Sequence, residues 1–363
     1  MKRNILIDAK WLFSGPISGK VVLEAYLSNL INYIDEENEI ELLLDSRDRE
    51  NGLRYSALGF KVSYIWARIN LLSNLFLTFR LKSRAYDVLL LHNFGPFLSR
   101  VNYVLFIHDV LFDDFPEYFS WIERVYFKFI KPSAKNANGI ITISETEKQR
   151  LIRNGYGGAA KVKVLYNGVD LGRFGQIDNF NYQDVKAKYG ILKNYLLYYG
   201  RLNDRKNILG LINGTRDFCK SKDTQLVIAG QKDSLYSELK AVDTQHVSFI
   251  GYVPDDQLGV LIREAMAFCY LSFAEGFGLP PLEAMALGTP TVVSRIPVFE
   301  ELFETASIFV DPNSLESIED GLELLDSEGV KENLITEGLR VADKFSWGRS
   351  SENLFKILIE ATI

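Results

Sequence analysis

The chain has 363 residues, 47% of them hydrophobic, and a formal net charge of −6. That is enough apolar chain for two full domain cores and the wrong overall charge for non-specific nucleic-acid binding, so no nucleic-acid partner is expected. No run approaches the roughly twenty apolar residues of a membrane span, and Asp8 and Lys10 interrupt residues 1–13 well short of a signal peptide's apolar segment, so the protein is expected in the cytoplasm.

Apolar, β-branched runs at 4–8, 40–44, 61–65, 87–91, 102–107 and 139–143 read as strands separated by amphipathic stretches. Residues 167–181 are rich in Gly, Asn and Asp and lack apolar periodicity, which predicts a domain boundary. A second series of strands follows at 195–199, 225–229, 247–251, 267–271, 290–294 and 306–310. Strands alternating with helices predict an α/β protein of two doubly wound domains, residues 1–172 and 173–345, with a last amphipathic helix over 346–363. Cys219 and Cys269 lack metal-ligand spacing and are expected to be buried thiols.

Charge is shared unevenly: residues 1–172 hold 22 Lys and Arg against 19 Asp and Glu, and the remainder 19 against 28. In the basic first half, residues 68–84 carry four Arg or Lys and no acid, with Leu71, Leu72, Leu75, Phe76 and Phe79 at helical spacing. A second aromatic and basic stretch begins at Trp121. Such faces serve either as core helices or as peripheral contacts to an anionic membrane surface.

Function is most legible in EGFGLPPLE, residues 275–283. An apolar strand runs into a Gly-flanked turn, and Pro280 suits the first turn of a helix. The amides of Phe277, Gly278 and Leu279 then face outward at a helix start, where an anion such as a diphosphate is favoured. Glu283, one turn into the helix, is placed to accept hydrogen bonds from a ribose, and Glu275 to meet the hydroxyls of a sugar. Upstream, the strand at 195–199 ends in Gly200 and is followed by Arg201, Asn203, Asp204, Arg205 and Lys206. Arg201 and Lys206, past a strand's carboxyl end, are placed to neutralise a diphosphate in the crevice of a parallel sheet. Either loop alone also fits a ligand-free turn; two of them after strands of one sheet point to a ligand.

Together these segments resemble the retaining glycosyltransferases of family 4, also called group 1, and especially the bacterial surface-polysaccharide mannosyl- and rhamnosyltransferases. Further matches follow in order. ILIDAKWLFSGPISGK looks like the family's first strand and glycine loop, with Gly15 and Gly19 on the acceptor side. IHDVLFDDFPE, residues 107–117, resembles its His-Asp motif, the segment with Ser144 and Glu145 its Ser-Glu element, and VLYNGVDLGRF, 164–174, its passage between domains. Lys20, Val21, Val22 and Leu23 stand where relatives carry a second Gly, an Arg and an aromatic, which leaves the acceptor side less well matched.

The resemblance implies the GT-B architecture: two Rossmann-like domains facing a central cleft, with the C-terminal helix crossing back to the first. It also implies a hexosyltransferase without cofactor or metal, acting on a nucleotide-sugar donor and a glycan or lipid-linked acceptor. By the same resemblance His108 and Glu275 lie at the reacting sugar. Arg201, Lys206, Phe277, Gly278, Leu279 and Glu283 surround the donor, and backbone near Tyr252 and Val253 reads the base. His92 is a weaker candidate for the same cleft, and His246 reads as a surface-loop residue. The alternatives are a non-catalytic carbohydrate-binding partner in a polysaccharide assembly complex, or a same-fold epimerase or phosphorylase. The paired glutamates beside the phosphate cations weigh against both.

Overall fold

The computed structural model describes residues 2–15, 17–66, 69, 71–73, 77, 86–96, 101–175, 177–230 and 244–362. The chain divides into two compact units, one of residues 1–168 with 347–363 and one of 169–346. The crossing falls four residues before the expected 172/173 because Val169 is already tied into the second unit: its amide donates to the Phe345 carbonyl at 3.0 Å and it bridges Ser346. Residues 74–76 and 78–85, which include Leu75, Phe76 and Phe79 of the basic stretch, lie outside the described residues.

The first unit is built on a parallel seven-stranded sheet of β1 (Arg3–Asp8), β2 (Asn38–Asp45), β3 (Lys61–Ile65), β4 (Val88–His92), β5 (Tyr103–Phe106), β6 (Gly139–Thr142) and β7 (Val162–Val164), in the order β3-β2-β1-β4-β5-β6-β7. β4 and β5 are buried along their whole length, as central strands covered on both faces must be. β7 escaped the sequence reading because it has three residues with the exposed Lys163 in the middle, too short a pattern to register. The helix Trp347–Glu360 completes this unit by packing on the helix Ile17–Leu30. Trp347 sits edge-on to the buried Tyr26 with ring centroids 5.2 Å apart, and Phe355 stacks on Tyr33 at 4.4 Å.

The second unit holds a parallel six-stranded sheet of β8 (Tyr195–Tyr199), β9 (Gln225–Ala229), β10 (Val247–Gly251), β11 (Ala267–Tyr270), β12 (Thr291–Ser294) and β13 (Ile308–Val310), in the order β10-β9-β8-β11-β12-β13. In both sheets the strand order reverses beside the first strand, between β1 and β4 and between β8 and β11. The connections leaving neighbouring strands at such a point run to opposite sides and open a crevice at the carboxyl ends, where ligands of doubly wound sheets bind. The backbone at that edge of the second sheet is held unusually close. A Cβ on Gly230, which has φ +150°, would lie 2.0 Å from the Gly200 carbonyl oxygen, so β8 and β9 can end side by side only with glycine there.

Trp347 is 6% exposed, and its replacement by Ala is expected to cost about 3–5 kcal/mol through the lost ring and the cavity left behind. Amide hydrogen exchange is the measurement: exchange should quicken in β1 and β4 and stay unchanged in β8 and β11.

Candidate active site

In the second unit the two strands flanking the reversal deliver the two loops singled out in the sequence. β8 continues through Gly200 and Arg201 into the turn Asp204–Lys206, which hands over to the helix Ile208–Ser221. Asn207 makes that handover at φ 51°, its side chain accepting from the Gly210 amide at 3.1 Å and donating to the Pro312 carbonyl at 2.8 Å. β11 continues to Glu275 and then to the helix Leu279–Ala286.

The loops meet through buried charge. Lys206 forms an ion pair with Glu275 and donates to the Tyr270 hydroxyl at 2.5 Å. Arg205 Nη1 lies 3.0 Å from Glu275 Oε2 and donates to the Ala274 carbonyl at 2.5 Å. Lys206 is 6% exposed and Glu275 9%. Burial works to raise the Glu275 carboxyl's pKa, but Arg205, Lys206 and hydrogen bonds from Lys206 and Ser272 outweigh it and hold it at about 2. Burial pulls Lys206 down to about 8 against the opposing pull of Glu275, with Arg205 and Arg201 adding repulsion. Burial drives the Tyr270 hydroxyl well above its ordinary value, so it stays protonated. Arg201 is exposed at the rim, and the Tyr198 hydroxyl donates to its carbonyl at 2.7 Å.

Gly278 fixes the turn between the glutamates. At φ +122° it adopts a conformation open mainly to glycine, and a Cβ there would meet the Phe299 ring at 2.7 Å. Phe277 turns inward, edge-on to Phe345 at 5.7 Å, and Leu279 and Pro280 begin the helix. Glu283, 3% exposed, receives the Arg173 guanidinium at 2.7 Å and the Tyr199 hydroxyl. Burial pushes its pKa up to about 7, with Arg173 acting in the opposite sense. Val253 is buried just past β10, beside the 65%-exposed Tyr252.

In the first unit His92 ends β4 and His108 follows β5; their rings stack 5.8 Å apart at 9°. Burial holds His92 at about 4 and His108 at about 3, so both imidazoles are neutral at physiological pH. The His108 Nε2 is buried without a hydrogen-bond partner among the described residues. Asp8, the last residue of β1, and Lys10 form an ion pair at 3.0 Å with both side chains 3% exposed.

Several expectations need correcting. Gly19 lies inside the helix Ile17–Leu30, not on a loop, and Gly15 caps the short helix Trp11–Ser14, its amide donating to the Trp11 carbonyl at 2.9 Å. Ser144 caps the helix Glu145–Arg153, and Glu145 is half-buried. The buried acid of that segment is Glu147, which pairs with Arg150 and accepts from the Val110 amide at 3.3 Å, two residues past His108. His246 is half-buried and bonds the Ile212 carbonyl at 3.0 Å. Arg205, Arg173, Tyr199 and Tyr270 were not singled out as site residues. The aromatics read as core, and nothing in the local pattern ties Arg173 to a partner 110 positions away. Among the described residues no three His, Cys, Asp or Glu side chains converge as a metal site requires.

Residues 182–339 match the family model of group 1 glycosyl transferases and residues 23–173 that of glycosyltransferase family 4. The O-antigen chain mannosyltransferase RfbU of Salmonella typhimurium is 32% identical over 231 residues, 62% of this chain and 61% of that protein. The O-antigen chain mannosyltransferase B of Escherichia coli is 33% identical over 186 residues, 48% of this chain and 49% of that one. The chain thus matches about half to about three fifths of the length of these relatives. Among solved structures, Anabaena HepE in complex with UDP superposes with a TM-score of 0.72 at 17% identity, covering 99% of this chain and 100% of that one. Sucrose-phosphate synthase from Thermosynechococcus elongatus superposes with a TM-score of 0.76 at 15% identity, covering 99% of each. The fold is that of the GT-B glycosyltransferases, as the resemblance implied.

Replacing Glu275 with Gln leaves Lys206 and Arg205 without their carboxylate and should destabilise the protein by about 3 kcal/mol at pH 7. The Glu275 pKa is depressed in the fold, so its contribution is complete above about 4.5 and lost as pH falls towards about 2. Urea denaturation of both proteins should show the gap between them closing across that window.

Proposed function

We propose, from the premise that this chain belongs to the glycosyltransferases of family 4, that it transfers a hexose from a nucleoside-diphosphate sugar to a glycan or lipid-linked acceptor in bacterial surface-polysaccharide assembly. The observation that carries the reading is the Lys206–Glu275–Arg205 cluster at the strand reversal of the second sheet, followed across the Gly278 turn by the buried Glu283, one turn into the helix Leu279–Ala286. With Glu275 ionised and both cations charged, the cluster has one surplus positive charge. Arg201 and the 277–279 amides add to it, which suits an anionic diphosphate.

The reaction breaks the bond between the anomeric carbon and the diphosphate oxygen and forms one to the acceptor oxygen. Positive charge grows on the sugar and negative charge on the departing phosphate. Arg201, Lys206 and the amides of Phe277, Gly278 and Leu279 stabilise the leaving group, with no call for a metal. Glu275 holds sugar hydroxyls, Glu283 holds the ribose, and backbone near Val253 meets the base. Retention follows if the acceptor attacks from the face the phosphate leaves, with the acceptor proton passing to a phosphate oxygen. The relatives' description as O-antigen mannosyltransferases favours mannose as the sugar, ahead of rhamnose.

A peripheral membrane contact fits a lipid-linked acceptor. No described helix is long and apolar enough to cross a membrane. The helix Trp121–Phe127, however, exposes Trp121, Ile122 and Val125, beside Phe129 and the cations Arg124 and Lys128. Tyr126 on this helix reaches the backbone of Leu71 from the other basic stretch, where Leu72 is also exposed. Exposed aromatics among cations suit an anionic bilayer surface.

Calorimetry with GDP, UDP, dTDP and ADP should find one nucleotide that binds without metal. Its affinity should fall as pH rises past about 8, where Lys206 loses its proton, and the Lys206→Met variant should bind weakly with no such step; no binding in any case would sink the transferase reading. Glu275→Ala should lower kcat at least a hundredfold with nucleotide affinity little changed, and Glu283→Ala the reverse; equal effects would undo the division of roles. Sedimentation with phosphatidylglycerol vesicles should capture the protein and lose it when Trp121 and Ile122 become Glu, whereas equal recovery of the two proteins would discard the membrane contact.

A further inference from the structure

The Arg173 contact is the part of the second unit that none of the expected roles uses. Arg173 sits in the turn Leu171–Phe174, a few residues after the chain enters this unit. The turn is firmly set: the Asp170 carboxylate accepts from the Gly172 amide at 2.7 Å, and Phe174 is fully buried. Phe174 reaches that depth because Gly259, in the helix Asp255–Arg263, has no side chain; a Cβ there would lie 2.8 Å from the Phe174 Cβ. From this anchored turn the Arg173 guanidinium reaches Glu283 Oε1 at 2.7 Å through Nη1 and Asp255 Oδ1 at 3.1 Å through Nη2. It also lies against the Phe174 ring, with Cζ 4.8 Å from the centroid.

We propose that Arg173 is a positioning residue for the nucleotide: held between Asp255 and the Phe174 ring, it fixes the orientation and charge of Glu283, and so sets how strongly the site distinguishes a ribose from a sugar lacking its 2′ and 3′ hydroxyls. The inference rests on the proposed role of Glu283 towards ribose. Two contacts divide the carboxylate. Oε1 takes the guanidinium and Oε2 the Tyr199 hydroxyl, so the carboxyl plane is fixed from both sides while each oxygen keeps a lone pair for a ligand hydroxyl. A carboxylate as deeply buried as Glu283 takes up a proton near neutral pH even with the guanidinium present. Without Arg173 it would be neutral through the assay range, and a neutral carboxyl is a poorer acceptor for two hydroxyls. Arg suits the task better than Lys, because its planar fork bonds Glu283 and Asp255 at once.

The test compares GDP and UDP with their 2′,3′-dideoxy forms by calorimetry on the wild type and on Arg173→Gln, Arg173→Lys, Glu283→Gln and the Arg173→Gln/Glu283→Gln double variant, each with its melting temperature. Arg173→Gln should weaken the ribonucleotide that binds by tenfold or more and leave its dideoxy form within about twofold. The double variant should bind no more weakly than Glu283→Gln, and Arg173→Lys should recover part of the loss. With donor sugar, Arg173→Gln should raise KM and spare kcat. Equal weakening of ribo and dideoxy forms, or losses from Arg173 and Glu283 that add, would overturn the inference. If the wild type fails to distinguish the two forms, or Glu283→Gln does not abolish the distinction, the ribose role of Glu283 itself has failed, and Arg173 falls with it.

Discussion

The second unit's site depends on burying three charges in one place. At an effective dielectric constant of about 20, opposite charges 3 Å apart attract by roughly 5 kcal/mol, which is comparable with the several kcal/mol needed to strip water from each ion. The Glu275–Lys206–Arg205 cluster is therefore close to energetic balance and adds little net stability as an assembly. What it provides is a fixed position: besides the carboxylate, Lys206 donates to the Tyr270 hydroxyl and Arg205 to the Ala274 carbonyl, which holds both cations in place and leaves each with further N–H groups. An anion arriving there meets charges whose desolvation and ordering are already accounted for in the fold, which is the condition under which fixed charges act most strongly.

The first unit handles its buried polar groups differently. At its own strand reversal lie an ion pair, Asp8 with Lys10, and two stacked imidazoles held neutral by burial. A neutral His108 can donate or accept a hydrogen bond but carries no charge. The loop after β5 is fixed by two bonds of 3.3 Å each: the Val110 amide donates to Glu147, and the Thr142 hydroxyl donates to the His108 carbonyl.

How much of this was legible follows from how far apart the interacting residues lie. Buried parallel strands are continuous apolar runs, so among the described residues twelve strands could be placed to within two residues and the short edge strand β7 was missed. Lys206 and Glu275 stood out because each lies in a loop past a strand's end, where the local pattern of apolar run, glycine and charge marks a turn, and Glu283 because it lies one turn into the helix that this turn opens. The partner that completes each one did not. Arg173 is contiguous with nothing in the 275–283 turn, and Tyr199 and Tyr270 look like the rest of their apolar strands until their hydroxyls are seen to reach a carboxylate and an ammonium. Glu145 and Glu147 differ only in which face of one helical turn they occupy, and Gly19 only in whether the helix has already begun.

The contact between the helices Trp347–Glu360 and Ile17–Leu30 bears on how the chain comes to be folded during synthesis. Residues 169–346 form one unbroken segment whose two ends are already joined, Val169 bridging Ser346. The first unit, by contrast, lacks the indole that covers Tyr26 until Trp347 has left the ribosome. The unit encoded later is thus the one that can be whole sooner. The unit encoded first must wait, with the apolar face of its opening helix uncovered, for a segment translated after the entire second sheet.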